Sequence, residues 1–284
     1  MMSAFRFNFQ NNESLDSESK PPTDKISWIA SEEVNPSYQI HNLDEIVKHA
    51  KIYTNGDLEI GHVAASEVTN NAQMKCLNNG LNLAEQKHSD LIAGTYEGGL
   101  KIWECTSDLV KYLMNNIDTN AWNNAKVLDL GCGAGILGIL AFLNGSEVFF
   151  QDYNKEVIEH VTIPNVLLNI EDEEKRELEI NKCKFYSGDW ESFNKLLDNN
   201  QFHYILTSET IYNSENYNKI IDIINTRLTD KGTAFIAAKT VYFGVGGGVR
   251  DFETYLQKHK HLNVDICWKS SGGIQREILK VTKK

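Results

Sequence analysis

The most regular pattern of apolar and polar positions lies in the second half of the chain. Short apolar runs, rich in β-branched and aromatic residues, alternate there with stretches of helical apolar spacing. Seven runs are predicted as strands, at 126–130, 146–152, 183–186, 203–206, 233–237, 263–268 and 274–281. Because strands that alternate with helices form parallel sheets, we predict an α/β, doubly wound, mostly parallel seven-stranded sheet whose last two strands make an antiparallel edge.

Helical spacing of apolar residues predicts the elements that connect these strands. Helices are expected at 109–114, 136–143, from 155 onward, around 219–228 and near 249–259. Pro164 falls within the helix from residue 155. We expect it to interrupt that helix, because proline lacks the N–H and its ring clashes with the preceding turn.

The chain before residue 90 has weaker patterns and suggests three parts. Residues 1–25 are polar and poor in apolar residues, so we predict a disordered tail. Its opening pattern, FRFNF at 5–9, fits either a short strand or an unstructured end. Residues 26–89 are interpreted as an N-terminal extension of unspecified structure, and residues 90–284 as the main domain.

Composition limits the classes of function. The chain has 284 residues, with 28 Lys and Arg against 39 Asp and Glu, and a formal net charge of −11. No apolar stretch approaches the roughly 20 residues that span a bilayer, so we predict no membrane-spanning segment. An acidic chain disfavours nucleic acid and anionic lipid, and serves solubility or attracts a basic partner. Five scattered cysteines without a CxxC pair indicate a reducing compartment and neither a disulfide framework nor a metal site.

A glycine-rich turn follows the first predicted strand. The sequence VLDLGCGAG at 127–135 places Asp129 before Gly131 and Gly133. Such a turn at the start of a helix lets the backbone approach a ligand closely. Its glycines do not match the GxGxxG register of NAD-binding folds. The pattern resembles instead the first motif of seven-stranded S-adenosylmethionine-dependent methyltransferases, where the turn runs against the methionine and ribose parts of the cofactor.

Acidic residues follow the next two predicted strands. Asp152 lies 21 residues after Gly131, at a strand end where a carboxylate accepts the two ribose hydroxyls of a nucleoside. After the third strand come Gly188, which can permit close approach of a ligand, Asp189 and Trp190. Asp189 can accept a hydrogen bond from an adenine amino group and Trp190 can stack on the ring. The alternative is that Asp189 caps the next helix.

Polar residues appear abruptly at the end of the fourth strand. The sequence TSETIY at 207–212 carries Glu209 and Tyr212, and this spacing resembles the [DE]xxY element of a group of small protein methyltransferases. The competing interpretation is a helix-start cluster. His203, inside the apolar strand, is interpreted as a structural histidine rather than a catalytic one.

Two other glycine-containing segments flank this region. The segment YEGGLKIWECT at 96–106 does not read as a plain linker, and is placed to fold over the exposed end of a cofactor. The loop GVGGG at 244–248 follows the fifth strand, on the rim where a substrate would enter. Consecutive glycines allow a peptide backbone to approach or a flap to move, and they equally fit a simple flexible connection.

Together these strings resemble one family, the eukaryotic histidine protein methyltransferases that modify a histidine of a large-subunit ribosomal protein. The matching strings are YEGGLKIWECT (96–106), VLDLGCG (127–133), FQDYN (150–154), ILTSETIYN (205–213) and YFGVGGG (242–248). The likeness runs from about residue 89 to the end, and the FRFNF opening also looks like that family's N-terminus. The sequence between them does not match.

The resemblance implies a Rossmann-like methyltransferase fold with S-adenosylmethionine as cofactor and no metal. With the glycine motif, it places cofactor contacts at Ile102, Trp103, Glu104, Cys105, Asp129, Gly131, Gly133, Gln151, Asp152, Tyr153, Gly188, Asp189, Trp190 and Ser208. The implied partner is a basic large-subunit ribosomal protein, with no direct nucleic-acid or membrane binding. We further expect a monomer in the cytoplasm and nucleus, with the nucleolus as an option.

The chemistry of this reaction makes few demands on the protein. Methyl transfer from a sulfonium is an in-line displacement, so the protein must mainly align the reacting atoms. A neutral imidazole, with a pKa of about 6.5, has a free lone pair at neutral pH, whereas a lysine must first lose a proton. We hypothesise that Glu209, or Tyr212 beside it, accepts the N–H of the target ring and stabilises the imidazolium as charge develops.

Three other functions remain open from the sequence. One is a lysine methyltransferase of the same group, and another is a non-catalytic ribosome-assembly protein that keeps the fold. The glycine turn and Asp152 argue against the second of these. An NAD-dependent enzyme is opposed by the glycine register.

Overall fold

A computed structural model describes residues 28–64, 68, 92 and 94–284 of the chain. The strands in this part are β1 (Glu32–Glu33), β2 (Ala50–Asn55), β3 (Leu58–Val63), β4 (Lys126–Leu130), β5 (Glu147–Asp152), β6 (Cys183–Ser187), β7 (Phe202–Ser208), β8 (Leu228–Lys239), β9 (Leu262–Lys269) and β10 (Arg276–Lys283). All seven predicted strands are present, as β4 to β10. The predicted tail at 1–25 lies outside the described residues.

The helices predicted from apolar spacing are present, and further short helices accompany them. They are α1 (Ser37–His41), α2 (Leu43–Ile46), α3 (Glu104–Asn116), α4 (Ile136–Leu143), α5 (Lys155–Val157), α6 (Ile163–Leu168), α7 (Arg176–Glu179), α8 (Trp190–Leu196), α9 (Tyr217–Arg227) and α10 (Val249–Leu256). A π-helical turn, Ile158–Thr162, joins α5 to α6.

The main sheet has eight strands in the order β1-β6-β5-β4-β7-β8-β10-β9. Strands β4 to β8 run parallel, while β10 is antiparallel to both β8 and β9. The predicted doubly wound α/β fold with an antiparallel edge is therefore confirmed. The eighth strand, β1, pairs antiparallel with β6 and comes from the N-terminal extension.

The two faces of the sheet are both covered. In β4, Val127 belongs to the apolar cluster on one face and Leu128 to the cluster on the other; Phe150 and Phe149 of β5 divide in the same way. All four side chains are fully buried. Strands buried on both faces give the continuous apolar runs seen in the sequence, and leave only the strand ends free to build a site.

The α-helix predicted from residue 155 is interrupted, as expected, because a π-helical turn divides α5 from α6 directly ahead of Pro164. Pro164 lies near the start of α6, directly after the π-helical turn at Ile158–Thr162. A π turn widens the hydrogen-bonding pattern by one residue, and proline is tolerated in the first turn of a helix, where its missing N–H is not needed.

The described part of the extension packs into the main core. Val34, Leu43, Ile60 and Val63 are buried in the same apolar cluster as Val127. The extension at 26–89 is thus, where it is described, part of the same folded unit. None of the helices in the described residues is long and apolar enough to cross a membrane.

Candidate active site

A cavity lies at the carboxyl edge of the parallel strands, where β4, β5, β6 and β7 end. Thirteen of the predicted site residues line it: Ile102, Trp103, Asp129, Gly131, Gly133, Asp152, Tyr153, Gly188, Asp189, Trp190, Ser208, Glu209 and Tyr212. The strand ends meet at one edge because the strands are parallel, which explains why motifs far apart in sequence converge.

The glycine turn after β4 forms the floor of the cavity. Gly131 and Gly133 have φ angles of +66° and +51°, which favour glycine. A Cβ on Gly131 would lie 2.6 Å from Thr210 Cγ2, and one on Gly133 would lie 2.9 Å from the Gly99 carbonyl oxygen. The turn therefore needs glycine for its own backbone and packing as well as for access to a ligand.

Asp152 is a buried carboxylate at the end of β5. Its Oδ2 accepts a hydrogen bond from the Gly133 N–H at 2.9 Å, and its Oδ1 from the Asn154 N–H at 3.1 Å. Burial raises the pKa of Asp152 to about 6. The carboxylate links the β5 end to the glycine turn and lines the cavity, as its predicted role requires.

Asp129 lines the cavity from within β4. Its Oδ2 accepts a hydrogen bond from the Gly138 N–H at 2.8 Å, whereas its buried Oδ1 has no hydrogen-bond partner among the described residues. Burial, with a further contribution from Asp152, raises the pKa of Asp129 to about 8. A buried polar atom without a partner is costly, so this oxygen is a candidate acceptor for a bound ligand.

Gln151 does not line the cavity, although it was predicted as a cofactor contact. Its Nε2 donates to the Gly188 carbonyl at 2.8 Å, and its Oε1 accepts from the Trp190 indole N–H at 2.7 Å. The alternation of side chains along β5 turns Gln151 away from the face that Asp152 occupies. Gln151 therefore fixes Trp190 and the turn after β6.

Glu104 and Cys105 also lie away from the cavity lining, contrary to the expectation. Helix α3 begins at Glu104, five residues earlier than predicted, so both residues belong to its first turn. Cys105 is fully buried in the apolar core, and burial raises the pKa of its thiol. The Glu104 side chain is 63% exposed, 3.5 Å from the ammonium group of Lys239.

Asp189 caps helix α8, as the alternative interpretation held. Its Oδ2 accepts a hydrogen bond from the Glu191 N–H at 3.0 Å, and its Oδ1 pairs with the Lys219 ammonium group. The residue nevertheless lines the cavity. Its role toward adenine stays a prediction.

Glu209 follows β7 in a left-handed conformation, with φ of +60°, and is 8% exposed. Its Oε2 accepts a hydrogen bond from the Tyr242 hydroxyl at 2.5 Å. Its Oε1 has no hydrogen-bond partner among the described residues and lies 3.6 Å from the Lys239 ammonium group. A non-glycine residue held in this strained region at a strand end is typical of functional sites.

Tyr212 contacts a residue that the sequence interpretation did not single out. Its hydroxyl donates to the Glu97 carboxylate, which also accepts from the Gly94 N–H at 2.6 Å. The Glu97 backbone N–H donates to Asn154 Oδ1 at 3.0 Å. Burial raises the pKa of both Glu97 and Tyr212. These contacts fasten the segment at 94–99 to residues that follow β5 and β7; that the string at 96–106 covers the exposed end of a cofactor stays a prediction.

Other lining residues were missed for different reasons. Thr106 and Glu97 stand in the string at 96–106 that had been singled out, and Thr106 Oγ1 donates to Ser208 Oγ at 3.1 Å. Trp28 lies in the unmatched extension, where no sequence pattern marked it. His203 lies outside the lining, and its Nδ1 accepts a hydrogen bond from the Lys126 N–H at 2.9 Å. This contact fits the structural interpretation of His203.

The cavity is acidic. The described residues that line it include five acidic side chains, Glu97, Asp129, Asp152, Asp189 and Glu209, against one lysine, Lys101; two of the five, Asp189 and Glu209, also lie beside Lys219 and Lys239. An acidic and largely buried site favours a positively charged ligand. Within the described residues, no group of three or more His, Cys, Asp or Glu could hold a metal ion.

The fold and the site define an α/β protein with a cavity at the carboxyl edge of a parallel sheet, lined by a glycine turn and a buried strand-end acid. The model of the family described as lysine methyltransferase matches residues 85–243, more than half of the chain. The chain belongs to this family.

The individual relatives that the chain matches are named for histidine, whereas the family is described by lysine. Histidine protein methyltransferase 1 homolog of Dictyostelium discoideum is 44% identical over 69% of this chain and 61% of its own length. The homolog of Bos taurus is 42% identical (69% and 58%), and histidine protein methyltransferase 1 of Saccharomyces cerevisiae is 30% identical (67% and 66%). The resemblance expected from the motifs is confirmed. The chain spans about 60% of the length of these relatives.

Among solved structures, a TehB-like SAM-dependent methyltransferase from Corynebacterium glutamicum has a TM-score of 0.45 and 18% identity, over 72% of this chain and 98% of that chain.

Proposed function

We propose that the chain is an S-adenosylmethionine-dependent protein methyltransferase that modifies an imidazole nitrogen of a histidine in a large-subunit ribosomal protein. The observation that carries this proposal is Glu209, a buried carboxylate with one oxygen fixed by Tyr242 and one without a hydrogen-bond partner among the described residues. The relatives named histidine protein methyltransferase support the same activity.

The cavity suits this cofactor. S-adenosylmethionine supplies a methyl group bonded to a positively charged sulfur, and it also carries an ammonium group. Five carboxylates around the cavity favour such a ligand. Asp129 Oδ1, which has no partner among the described residues, is the candidate acceptor for the ammonium group. Asp152, at the end of β5, is the candidate acceptor for the ribose hydroxyls.

Glu209 favours an imidazole over a primary amine as the nucleophile. A carboxylate that accepts one N–H of a neutral imidazole leaves the other nitrogen free to attack, and it stabilises the positive charge that develops during methyl transfer. The same carboxylate beside a lysine would stabilise the protonated ammonium, which has no lone pair for the reaction. The hydrogen bond from Tyr242 and the nearby Lys239 hold Glu209 in place for this role.

A lysine target remains the second candidate because the matching family is described as lysine methyltransferase. The two targets differ in their products. Acid hydrolysis of a labelled product followed by amino-acid analysis separates methylhistidine from methyllysine. Methyllysine as the sole product would contradict the proposed histidine activity and leave the methyltransferase activity standing.

The rim of the site supports a protein substrate. Tyr242, which holds Glu209, lies between Val241 and Phe243, whose side chains are 47% and 76% exposed, and Val245 beyond them is 46% exposed. Exposed apolar residues grouped beside a cavity are typical of a surface that contacts another macromolecule. The net charge of −11 favours a basic partner, and ribosomal proteins are such partners.

The decisive experiment is methylation of a ribosomal fraction from cells that lack this gene, with radiolabelled S-adenosylmethionine. We expect one labelled band at the size of a single large-subunit protein, and no band with the Glu209→Gln variant. Labelling confined to a non-ribosomal protein would contradict the proposed substrate. Calorimetry with S-adenosylhomocysteine tests the non-catalytic alternative, because a protein that does not use the cofactor should release no heat.

The contribution of the apolar rim is tested with Phe243→Ala. We expect a KM for the protein substrate raised by about tenfold, since a large exposed aromatic contact is lost, and no change in the affinity for S-adenosylhomocysteine. The control is Leu178→Ala, which removes a side chain that is 66% exposed on α7 and outside the cavity lining. An unchanged KM for Phe243→Ala would show that the substrate does not pass over this rim.

A further inference from the structure

The segment at 28–33 lies across the turn that follows β6 and closes one end of the cavity. The Asp189 N–H donates to the Ile29 carbonyl at 2.8 Å, and the Ile29 N–H donates to the Tyr153 hydroxyl at 3.2 Å. The Ser31 N–H donates to Ser192 Oγ at 2.9 Å. Pairing of β1 with β6 continues this contact. The segment is therefore fixed along its length by residues of the main domain.

Gly188 shows how closely this segment approaches. Its φ angle is +97°, and a Cβ at this position would lie 2.5 Å from Ser31 Cα and 2.6 Å from the Ala30 carbonyl oxygen. Two backbones can meet at this distance only if one of them carries no side chain. The glycine after β6, expected to allow approach of a ligand, thus allows approach of the N-terminal segment.

Trp28 is positioned by this arrangement and lines the cavity. The Lys219 ammonium group lies 3.7 Å from the centroid of its ring, and the same lysine pairs with Asp189. The Tyr153 ring meets the indole nearly at right angles, with centroids 5.8 Å apart. A cation over an indole and an edge-to-face pair are both favourable contacts, so the side chain is held before any ligand binds.

The order of the strands determines which part of the cofactor reaches Trp28. The ribose acceptor, Asp152, ends β5, and Glu209, where methyl transfer is proposed, follows β7 on one side of it. The base lies on the opposite side of the ribose from the sulfur. It must therefore extend toward β6, where Trp28, Gly188 and Asp189 all line the cavity. We call these residues, with Trp190, the base end, and Glu209, Lys239 and Tyr242 the transfer end.

We propose that Trp28 is a purine-binding residue of this protein, whose indole packs against the adenine ring of the cofactor at the base end. The proposal rests on the proposed function, since it takes the ligand to be an adenosyl compound. The N-terminal extension, which lies outside the sequence motifs, would then have a direct role in ligand binding. Trp28 is fastened by contacts within the protein, so its ordering does not have to accompany binding.

The test is calorimetry of S-adenosylhomocysteine binding to Trp28→Ala, Trp28→Leu and Trp28→Phe. Stacking of a base on an aromatic ring supports an expected loss of about tenfold or more in affinity for the alanine and leucine variants. Phenylalanine should restore most of the affinity, because it keeps an aromatic face. Tyr38→Ala is the matched control, since Tyr38 is an exposed aromatic of the same extension that lies outside the cavity lining.

Adenosine serves as the second ligand, because it carries the base and lacks the amino-acid part. We expect its affinity to fall by the same factor in Trp28→Leu. The proposal would be overturned if Trp28→Leu bound each ligand as tightly as the wild type does and the two free proteins melted at the same temperature. If wild-type protein binds no S-adenosylhomocysteine, the proposed function fails first. The two failures are therefore distinguishable.

Discussion

The carboxylates at the two ends of the cavity, Asp189 and Glu209, differ in how many of their oxygens accept a hydrogen bond from the chain. At the base end, both oxygens of Asp189 have partners, one on the Glu191 N–H and one on Lys219. At the transfer end, Glu209 keeps one buried oxygen without a hydrogen-bond partner among the described residues. Buried polar atoms without partners are unfavourable. The contrast indicates that the Asp189 carboxylate is fixed in the free protein, whereas Glu209, with Lys239 near its second oxygen, can still accept a hydrogen bond from what binds there.

The largest effect is expected from Glu209→Gln at the transfer end. The substitution keeps the shape of the side chain and removes the negative charge that would stabilise a developing imidazolium. We expect kcat to fall by about 100-fold or more and the affinity for S-adenosylhomocysteine to stay the same. Single-turnover kinetics and calorimetry measure the two quantities, with the exposed Glu215→Gln as control. Unchanged turnover would remove the distinction between the two ends.

Asp152 lies between the two ends, and its protonation should make the affinity for the cofactor depend on pH. Burial raises its pKa to about 6 in the free protein. Ribose hydroxyls donate to the ionised form, so binding requires a proton to leave below that pH. We therefore expect the Kd for S-adenosylhomocysteine to rise by about tenfold from pH 7 to pH 5, measured by calorimetry. Asp152→Asn should bind more weakly and lose the part of this dependence that comes from Asp152, and a pH-independent wild type would contradict the assignment.

The raised pKa of Asp152 also affects the stability of the folded protein. The folded pKa of Asp152 lies above the unfolded value of about 3.9, so the folded state binds more protons between the two values. The contribution of Asp152 to the stability of the ligand-free protein should then fall as the pH rises from about 4 to about 6. Over this interval the increase in Tm caused by S-adenosylhomocysteine should grow. Thermal melting with and without ligand at pH 5 and pH 7 measures it.

Gly131 lies between the two ends, and its substitution tests whether they are packed as one unit. A Cβ there would lie 2.6 Å from Thr210 Cγ2 on one side and 3.7 Å from the Trp190 ring on the other. Gly131→Ala is expected to lower the free energy of unfolding by about 1–3 kcal/mol, from overpacking and a φ of +66°. Adding Thr210→Ser removes the clashing methyl group and should restore part of the loss in a double-mutant cycle. Strictly additive effects would contradict the contact.

The sequence predicted the sheet and most of the cavity because both follow from local patterns. Apolar runs marked the strands, and polar residues immediately after them, such as Asp152 and Glu209, marked the strand ends that a parallel sheet brings together. The start of α3 was misplaced because Cys105 has no local signal of burial. The π-helical turn before Pro164 was missed because it depends on hydrogen bonds that the proline itself displaces.

The base end was harder to predict because it depends on contacts between distant parts of the chain. Trp28 reaches the cavity only through hydrogen bonds of residues 28–33 with the turn after β6. Gly188 was singled out because glycine permits close approach, which is correct. The group that approaches it in the structure is the backbone of Ser31. No periodicity in the extension reports such pairing, since a two-residue strand such as β1 is too short to show alternation.

The smallest effect is expected from Tyr212→Phe, and it sharpens the assignment at the transfer end. Tyr212 donates its hydroxyl proton to Glu97, whereas Glu209 has an oxygen without a hydrogen-bond partner among the described residues. We therefore infer that Glu209 accepts the N–H of the target ring and that Tyr212 positions the segment at 94–99. Loss of one such hydrogen bond should lower kcat by about threefold to tenfold, measured by single-turnover kinetics. Because burial already raises the pKa of Glu97, loss of this donor should raise it further. Activity should then decline at a higher pH on the acid side than in wild type. A loss of turnover as large as that of Glu209→Gln would instead make Tyr212 the acceptor.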